Sequence, residues 1–439
     1  MERIEINGFL TIDHANFEIR KLNILIGEQA QGKSVIAKLV YFFKNSFSDV
    51  FYQSIQKFET KREIEKKCLI QFERIFPRYS WANKTFSIDY TNGDCNASII
   101  RTQIDNKYVL KFSYSENLID FHKKLKSTYK AVLNRFNIGI ERESEKKIPS
   151  RKEIIFYKTT SEIIDNSSFN NLFKTSIFIP AGRSFFATLQ KNVFSFLAND
   201  IDIDTLIKEF GSRYEQSKRF HQVDQHNFFN HHKTNDVTGK KIDHLKKIDH
   251  LIREIIVGEY IYSEGQDWIL SKGKRTNLVH TSSGQQESLP MLLVLKTLSR
   301  IYEKETIFFI EEPEAHLFPV SQKQIISLIA TINNAFGHSF FITTHSPYIL
   351  TAINNLVVGQ DAYDKANGNT EKLKKLEAVL ATDELIHLED VSAYTLKKGY
   401  LESIVDTENR LIGANLLDSV SDEFEVAFNV ATDILYGDA

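Results

Sequence analysis

The stretch from Leu22 to Ser34, Leu-Asn-Ile-Leu-Ile-Gly-Glu-Gln-Ala-Gln-Gly-Lys-Ser, constrains this chain more than any other. An apolar run suited to a β-strand ends at Ile26. Gly27-Glu28-Gln29-Ala30-Gln31-Gly32-Lys33-Ser34 then meets the spacing G-x-x-x-x-G-K-[ST], and Val35-Ile36-Ala37-Lys38-Leu39 can continue as a helix. Strand, loop and helix in this order are what a phosphate-binding loop requires. Gly27 and Gly32 permit backbone angles that turn several N–H groups toward a polyphosphate, and the positive end of the new helix points at the same place. The candidate nucleotide-binding residues here are Gly27, Gln31, Gly32, Lys33, Ser34 and Val35. Lys33 suits the β and γ phosphates, and the Ser34 hydroxyl suits Mg²⁺.

Composition limits what surrounds this loop. The 439 residues, 42% of them hydrophobic, suffice for two or three domains with a sizeable core. With 55 basic and 57 acidic residues there is no global field for a polyanion, so contact with nucleic acid requires a local patch. Cys68 and Cys95 form no C-x-x-C unit, which argues against a disulfide framework or a cysteine zinc site and fits a reducing compartment. The N-terminus lacks the layout of a secretory signal, and no apolar run approaches the roughly 18 to 20 residues of a membrane span. A cytoplasmic protein without a membrane partner is expected.

In chain order, residues 2–26 read as short strands, Arg3 to Ile6, Ala15 to Ile19 and Leu22 to Ile26, with turns at Asn7-Gly8 and Asp13-His14. A helix from 33 to about 45 carries Val35, Ile36, Leu39, Val40 and Phe43 on one stripe. Residues 51–76 read as one charged amphipathic helix, 84–115 as strands turning at Asn92-Gly93-Asp94, and 116–170 as helical, with a polar loop over Glu141 to Lys152. A short strand at 175–180 precedes a helical region to about 257. That region holds a six-residue duplication, Lys240 to Leu245 repeated as Lys246 to Leu251, whose Ile242, Leu245, Ile248, Leu251 and Ile252 suggest a packing helix. A hairpin over 258–280, a Lys-rich helix and loop over 358–380, a strand at Val391 to Leu396 and a helix near 420–436 complete the reading. The segments are 1–50, 51–170, 171–257, 258–357 and 358–439.

Three later motifs belong with the phosphate loop. Thr306-Ile307-Phe308-Phe309-Ile310 delivers Glu311 and Glu312 at the end of an apolar run. Glu311 suits the water shell of Mg²⁺, and Glu312 suits the polarisation of a water attacking a γ-phosphate. Phe340-Phe341-Ile342-Thr343-Thr344 ends in His345, placed to contact that phosphate or hold the water. Ser282-Ser283-Gly284-Gln285 precedes a helix read as Ser288 to Ser299. Ser282 and Gly284 at a helix N-terminus make an anion site, and the economical reading gives it the γ-phosphate of a nucleotide held by a second copy. Simple helix capping by Ser282 is the alternative.

In order, Gly27 to Ser34, Ser282-Ser283-Gly284-Gln285-Gln286, Ile310-Glu311-Glu312-Pro313-Glu314-Ala315-His316-Leu317 and Thr343-Thr344-His345-Ser346-Pro347 resemble the Walker A, signature, Walker B with D-loop, and switch histidine of ABC-type ATPases. The last two resemble the branch containing the OLD and RecF-like proteins. This implies an α/β fold: an ABC-type P-loop ATPase head, made of a β lobe and a helical lobe, with helical arms inserted from roughly 50 to 170 and 185 to 257. It implies ATP and Mg²⁺ as ligands, Lys33, Glu312 and His345 as catalytic residues, and Ser34 and Glu311 as metal ligands. It also implies Ser282, Ser283, Gly284 and Gln285 as nucleotide contacts, and a homodimer closed on ATP. Ser-Ser-Gly-Gln departs from the Ser-Gly-Gly-Gln of transporters, and Glu311 from their aspartate. After the 175–180 strand no clear Q-loop glutamine follows, leaving Arg183 or Gln190 as substitutes.

Full OLD proteins carry a C-terminal TOPRIM nuclease. About 90 residues follow His345 here, without an Asp-x-Asp pair, so a built-in nuclease is not expected. Stand-alone ATPases of this kind resemble the ATPase subunits of two-gene antiphage systems such as Septu, PARIS and retrons, which implies a separately encoded effector, an HNH or TOPRIM nuclease or a toxin. Two rivals are a RecF-like DNA-repair ATPase acting on nucleic acid directly and a transporter's ATPase subunit. His221, His226, His231 and His232 lack a metal-binding frame, and Asp200-Ile201-Asp202-Ile203-Asp204 lacks the glycine and distal glutamate of a calcium loop.

Overall fold

Strands β1 (Glu2–Phe9), β2 (Ile12–Ile19) and β3 (Leu22–Ile26) lead into the phosphate loop, and α1 (Lys33–Asn45) leaves it. The computed structural model describes residues 1–135, 151–187, 203–224, 239–302 and 304–413. Gln190, His226, His231, His232, Asp200 to Asp202, the polar run ahead of Arg151 and the helix expected near 420–436 lie outside them.

The strand Leu22–Ile26 begins and ends where the sequence reading put it, because a run buried at every position abuts a glycine. The β1–β2 turn instead falls after Phe9, at Leu10, which takes φ +53, since Phe9 is fully buried and stays in the strand. Residues 51–76 are not one helix. A π-helical turn over Ser46–Phe51 runs on from α1 into α2 (Tyr52–Gln56), and Thr60 restarts the chain as the N-cap of α3 (Lys61–Ile75) in a capping box with Glu63.

Next come β4 (Phe86–Asn92), β5 (Cys95–Ile104), β6 (Lys107–Tyr114), α4 (Glu116–Arg135) and α5 (Arg151–Asp165), then β7 (Thr175–Ile179), α6 (Thr205–Asp224) and α7 (Gly239–Ile256). In α7 the second copy of the duplication buries Ile248 and Leu251, and Ile252 just after it is buried as well. The expected hairpin is a three-stranded meander, β8 (Glu259–Ser263), β9 (Gln266–Ser271) and β10 (Lys274–Asn277). Helix α8 (Ser283–Ile301) starts five residues before the position read from sequence, because Ser282 caps it and Pro290 is accommodated inside it. Then follow β11 (Thr306–Glu311), α9 (Pro319–Phe336), β12 (Ser339–Thr344), α10 (Pro347–Ala366), α11 (Thr370–Glu377), β13 (Val391–Lys397), β14 (Tyr400–Ser403) and the small pair β15 (Val405–Asp406) and β16 (Leu411–Ile412).

Eleven strands form one sheet, in the order β6-β5-β4-β1-β2-β14-β13-β3-β12-β11-β7. The half from β13 to β7 is parallel, and its strands are buried on both faces. Alternate residues therefore serve two cores. Leu25, Phe309 and Phe341 join α1 and α3 on one side, while Ile24, Ile310 and Ile342 join α8, α9 and α10 on the other. The result is a mixed α/β fold with a large central sheet. Register sets the site: Ile26 pairs with Thr344 and Glu311 with Thr343, so Gly27, His345 and Glu312 leave the sheet at one edge.

Candidate functional site

The loop between β3 and α1 has the backbone the glycines predict. Gly27 takes φ +149 and Gly32 φ +111, and a Cβ on Gly32 would lie 2.7 Å from Thr11 Oγ1. Ala30 also sits at φ +61. Gln31 and Val35 are half-buried, and the Ser34 side chain is exposed.

Lys33 is buried. Its ammonium donates to the carbonyls of Gly27 at 2.8 Å and Glu28 at 2.6 Å, and to His345 Nδ1 at 3.2 Å. Burial brings it down from an ordinary 10.5 to about 8, against the opposing pull of Glu312, Glu314 and Glu28. A lysine is a donor only, so His345 Nδ1 accepts and its ring proton resides on Nε2. That nitrogen donates to Glu312 Oε1 at 3.1 Å. Lys33, His345 and Glu312 thus form one hydrogen-bonded chain across three strand ends.

Glu312 occupies φ +45, a conformation that costs a non-glycine residue roughly 1–2 kcal/mol, and its N–H donates to Thr343 O at 2.8 Å. His345 is held from behind. Glu314 Oε1 accepts from Thr344 Oγ1 at 2.6 Å and from the His345 N–H at 2.8 Å. Glu311 is buried; its Oε2 accepts from the Ala181 N–H at 3.2 Å, while Oε1 has no partner among the described residues. An orphaned carboxylate oxygen with the exposed Ser34 hydroxyl fits an oxygen-preferring cation such as Mg²⁺. No cluster of three or more His, Cys, Asp or Glu suited to a metal occurs among the described residues.

Ser282, Ser283, Gly284 and Gln285 form the N-terminus of α8. Ser282 Oγ accepts from the Gln285 N–H and Gln285 Oε1 from the Ser282 N–H, so the capping alternative is realised. Gln285 Nε2 also donates to Ile256 O at 2.6 Å, at the end of α7. Gly284 is obligatory: a Cβ there would lie 2.8 Å from His316 O. Ser282 and Ser283 remain exposed. Among the described residues, the hydrogen bonds of Ser282 and Gln285 reach no part of Gly27–Ser34.

Sequence reasoning missed the buried pair behind the site. Arg183, considered there as a Q-loop substitute, is fully buried and bonds to Glu287 and to the carbonyls of Glu311 and Glu312. A lone arginine after an apolar strand and a lone glutamate leading an apolar helix were the signal.

No curated protein matches this chain. An SMC head bound to the C-winged helix domain of ScpA superposes with a TM-score of 0.36 at 10% identity, covering 92% of this chain and 96% of that one. The SMC head domain from Thermotoga maritima gives 0.33 at 11%, covering 92% and 97%. The recombination mediator RecF gives 0.29 at 13%, covering 92% and 97%. The family model described as AAA ATPase domain, AAA_15, matches residues 1–350, and the chain belongs to that family.

Proposed function

We propose that this protein binds and hydrolyses ATP in a composite site closed by a second copy of the chain. The observation that carries this reading is the hydrogen-bonded chain Lys33–His345–Glu312, which joins a phosphate loop to a carboxylate at one edge of a parallel sheet. When a nucleotide enters, Lys33 exchanges its bonds to Gly27 O and Glu28 O for phosphate oxygens. Ser34 and Glu311 would hold Mg²⁺, which would supply neutralisation of phosphate charge. Glu312, its side chain 38% exposed, takes the proton of the attacking water, and His345 fixes the orientation of the carboxylate through its Nε2–H.

Ser282 and Ser283 are exposed at the N-terminus of α8, a position that suits the γ-phosphate held by the other copy. ATP then acts as glue and its hydrolysis as release. The test is phosphate release by purified protein. Lys33→Ala abolishes both binding and turnover, and Glu312→Gln abolishes turnover alone; turnover surviving in both variants refutes the assignment.

Such a clamp suits a sensor that holds or frees a separately encoded effector, a nuclease or a toxin, in antiphage defence. The motif resemblance to OLD-like ATPases supports this. It predicts that Glu312→Gln with ATP co-elutes with the product of a neighbouring gene. A second reading, direct action on DNA in the manner of RecF, is favoured by the exposed Lys123, Lys124, Lys130 and Arg135 of α4. ATP-stimulated duplex binding that weakens with salt supports that reading instead. No helix among the described residues is long and apolar enough to cross a membrane.

A further inference from the structure

Arg183 lies in the turn after β7, and its guanidinium is bonded on two sides. Nε donates to the main-chain carbonyl of Glu287 at 3.0 Å, and Nη2 lies 3.4 Å from Glu287 Oε1. Nη1 donates to Pro180 O at 2.9 Å and to Glu311 O at 2.7 Å, and Nη2 donates to Glu312 O at 2.9 Å. The Glu287 carboxylate in turn accepts the main-chain N–H groups of Arg183 and Ser184, each at 2.8 Å.

Stability is a weak reason for this arrangement, because burying two charges costs about as much as their attraction returns, and apolar side chains would fill the space as well. The guanidinium brings geometry. Its rigid fork reaches the carbonyls of two consecutive residues, Glu311 and Glu312, the second in a left-handed conformation that its surroundings must hold. Glu287 lies in α8 close behind Ser282–Gly284. The path from that helix N-terminus to the main chain of Glu312 therefore passes through two side chains. A second link runs beside it, where Gly284 packs on the carbonyl of His316.

We infer that Arg183 and Glu287 are a positioning pair that relays engagement of this chain's Ser282–Gly284 segment to this chain's own Glu312. The inference rests on the paired reading above, in which Ser282–Gly284 meets the nucleotide of the other copy while Glu312 serves the nucleotide on its own Lys33. Hydrogen-bonded contact of this kind is a physical route for coupling. The consequence is interdependence: neither site hydrolyses at full rate until both are closed.

Mixed dimers isolated through two different tags test this. One chain carries Ser282→Arg, an exposed position that blocks sealing without touching the buried pair, and the other carries Glu312→Gln. One site in such a dimer is complete, with loop, Glu312 and His345 from the first chain and Ser282–Gly284 from the second. The expected result is turnover at that site at least tenfold below a wild-type site with nucleotide still bound, because its Glu312 is tied to an α8 that engages nothing. About half of the wild-type turnover per dimer overturns the inference. Arg183→Lys in an otherwise wild-type chain keeps the charge and loses the fork. It is expected to lower kcat and bring the Hill coefficient for ATP to 1 with little change in half-saturation, whereas a lower thermal midpoint with an unchanged Hill coefficient overturns the positioning role. If Arg183→Lys does not fold, the mixed dimers still decide. Failure of the wild-type chain to pair with ATP at all refutes the paired reading itself, and the inference with it.

Discussion

ATP affinity should fall steeply above pH 8, for a reason specific to Lys33. Burial holds its ammonium at about 8 in the nucleotide-free chain, down from 10.5, although three carboxylates oppose the shift. A bound triphosphate favours the charged form, so the complex titrates higher. Below pH 8 the lysine is charged with and without ATP, and affinity is level. Above pH 8 binding requires uptake of a proton, and the dissociation constant rises tenfold per pH unit until the value of the complex is reached. At pH 9.5 the loss comes to roughly 30-fold, or about 2 kcal/mol. Equilibrium binding of a fluorescent ATP analogue from pH 7 to pH 10 measures it, and calorimetry in two buffers of different ionisation enthalpy counts the proton. Lys33→Arg, charged throughout, should flatten the profile. A wild-type dissociation constant that stays level to pH 10 would refute the reasoning.

Glu312→Gln keeps an oxygen for the His345 Nε2–H and removes the base, so turnover should drop about 100- to 10,000-fold with ATP retained; undiminished phosphate release sinks the base assignment. Gly32→Ala forces a side chain onto φ +111 beside Thr11 Oγ1, a strain of about 1–3 kcal/mol that should weaken ATP binding at least about tenfold while the thermal midpoint moves little. Unchanged affinity in a binding titration contradicts it. Burial lowers His122 to about 4 from 6.5, with Nε2 held at 2.7 Å from Ser54 Oγ. The unfolded chain binds the extra proton between those values, so stability is complete above pH 6.5 and declines as pH falls toward 4, by up to about 3 kcal/mol. Denaturant titrations of His122→Gln should lack that decline; an identical slope in both proteins counts against it.

The placement of the candidate site was legible because each of its parts is local. Ile26, Glu311 and Thr344 each end a mostly apolar strand buried on both faces, so the residues straight after them, Gly27, Glu312 and His345, emerge at the carboxyl end of the sheet. Pairings between distant segments were not legible. Nothing near Val391–Lys397 announces that it lies parallel to Leu22–Ile26, beside the phosphate loop, since neither strand carries a side chain that specifies the other as its neighbour. Arg183 and Glu287 are 104 positions apart, and neither carries a local sign of the other. The start of α8 lies earlier than the Ser288 read from sequence because the Ser282–Gln285 capping box sets it.

The central claim is that one triphosphate is gripped by Lys33 of one copy and sealed by Ser282–Gly284 of another. Sedimentation of the Glu312→Gln protein with and without ATP tests it most directly. The account predicts a mass that doubles with ATP, and that fails to double when Ser282→Arg or Lys33→Ala is added. A single-chain mass for protein shown to be saturated with ATP contradicts it.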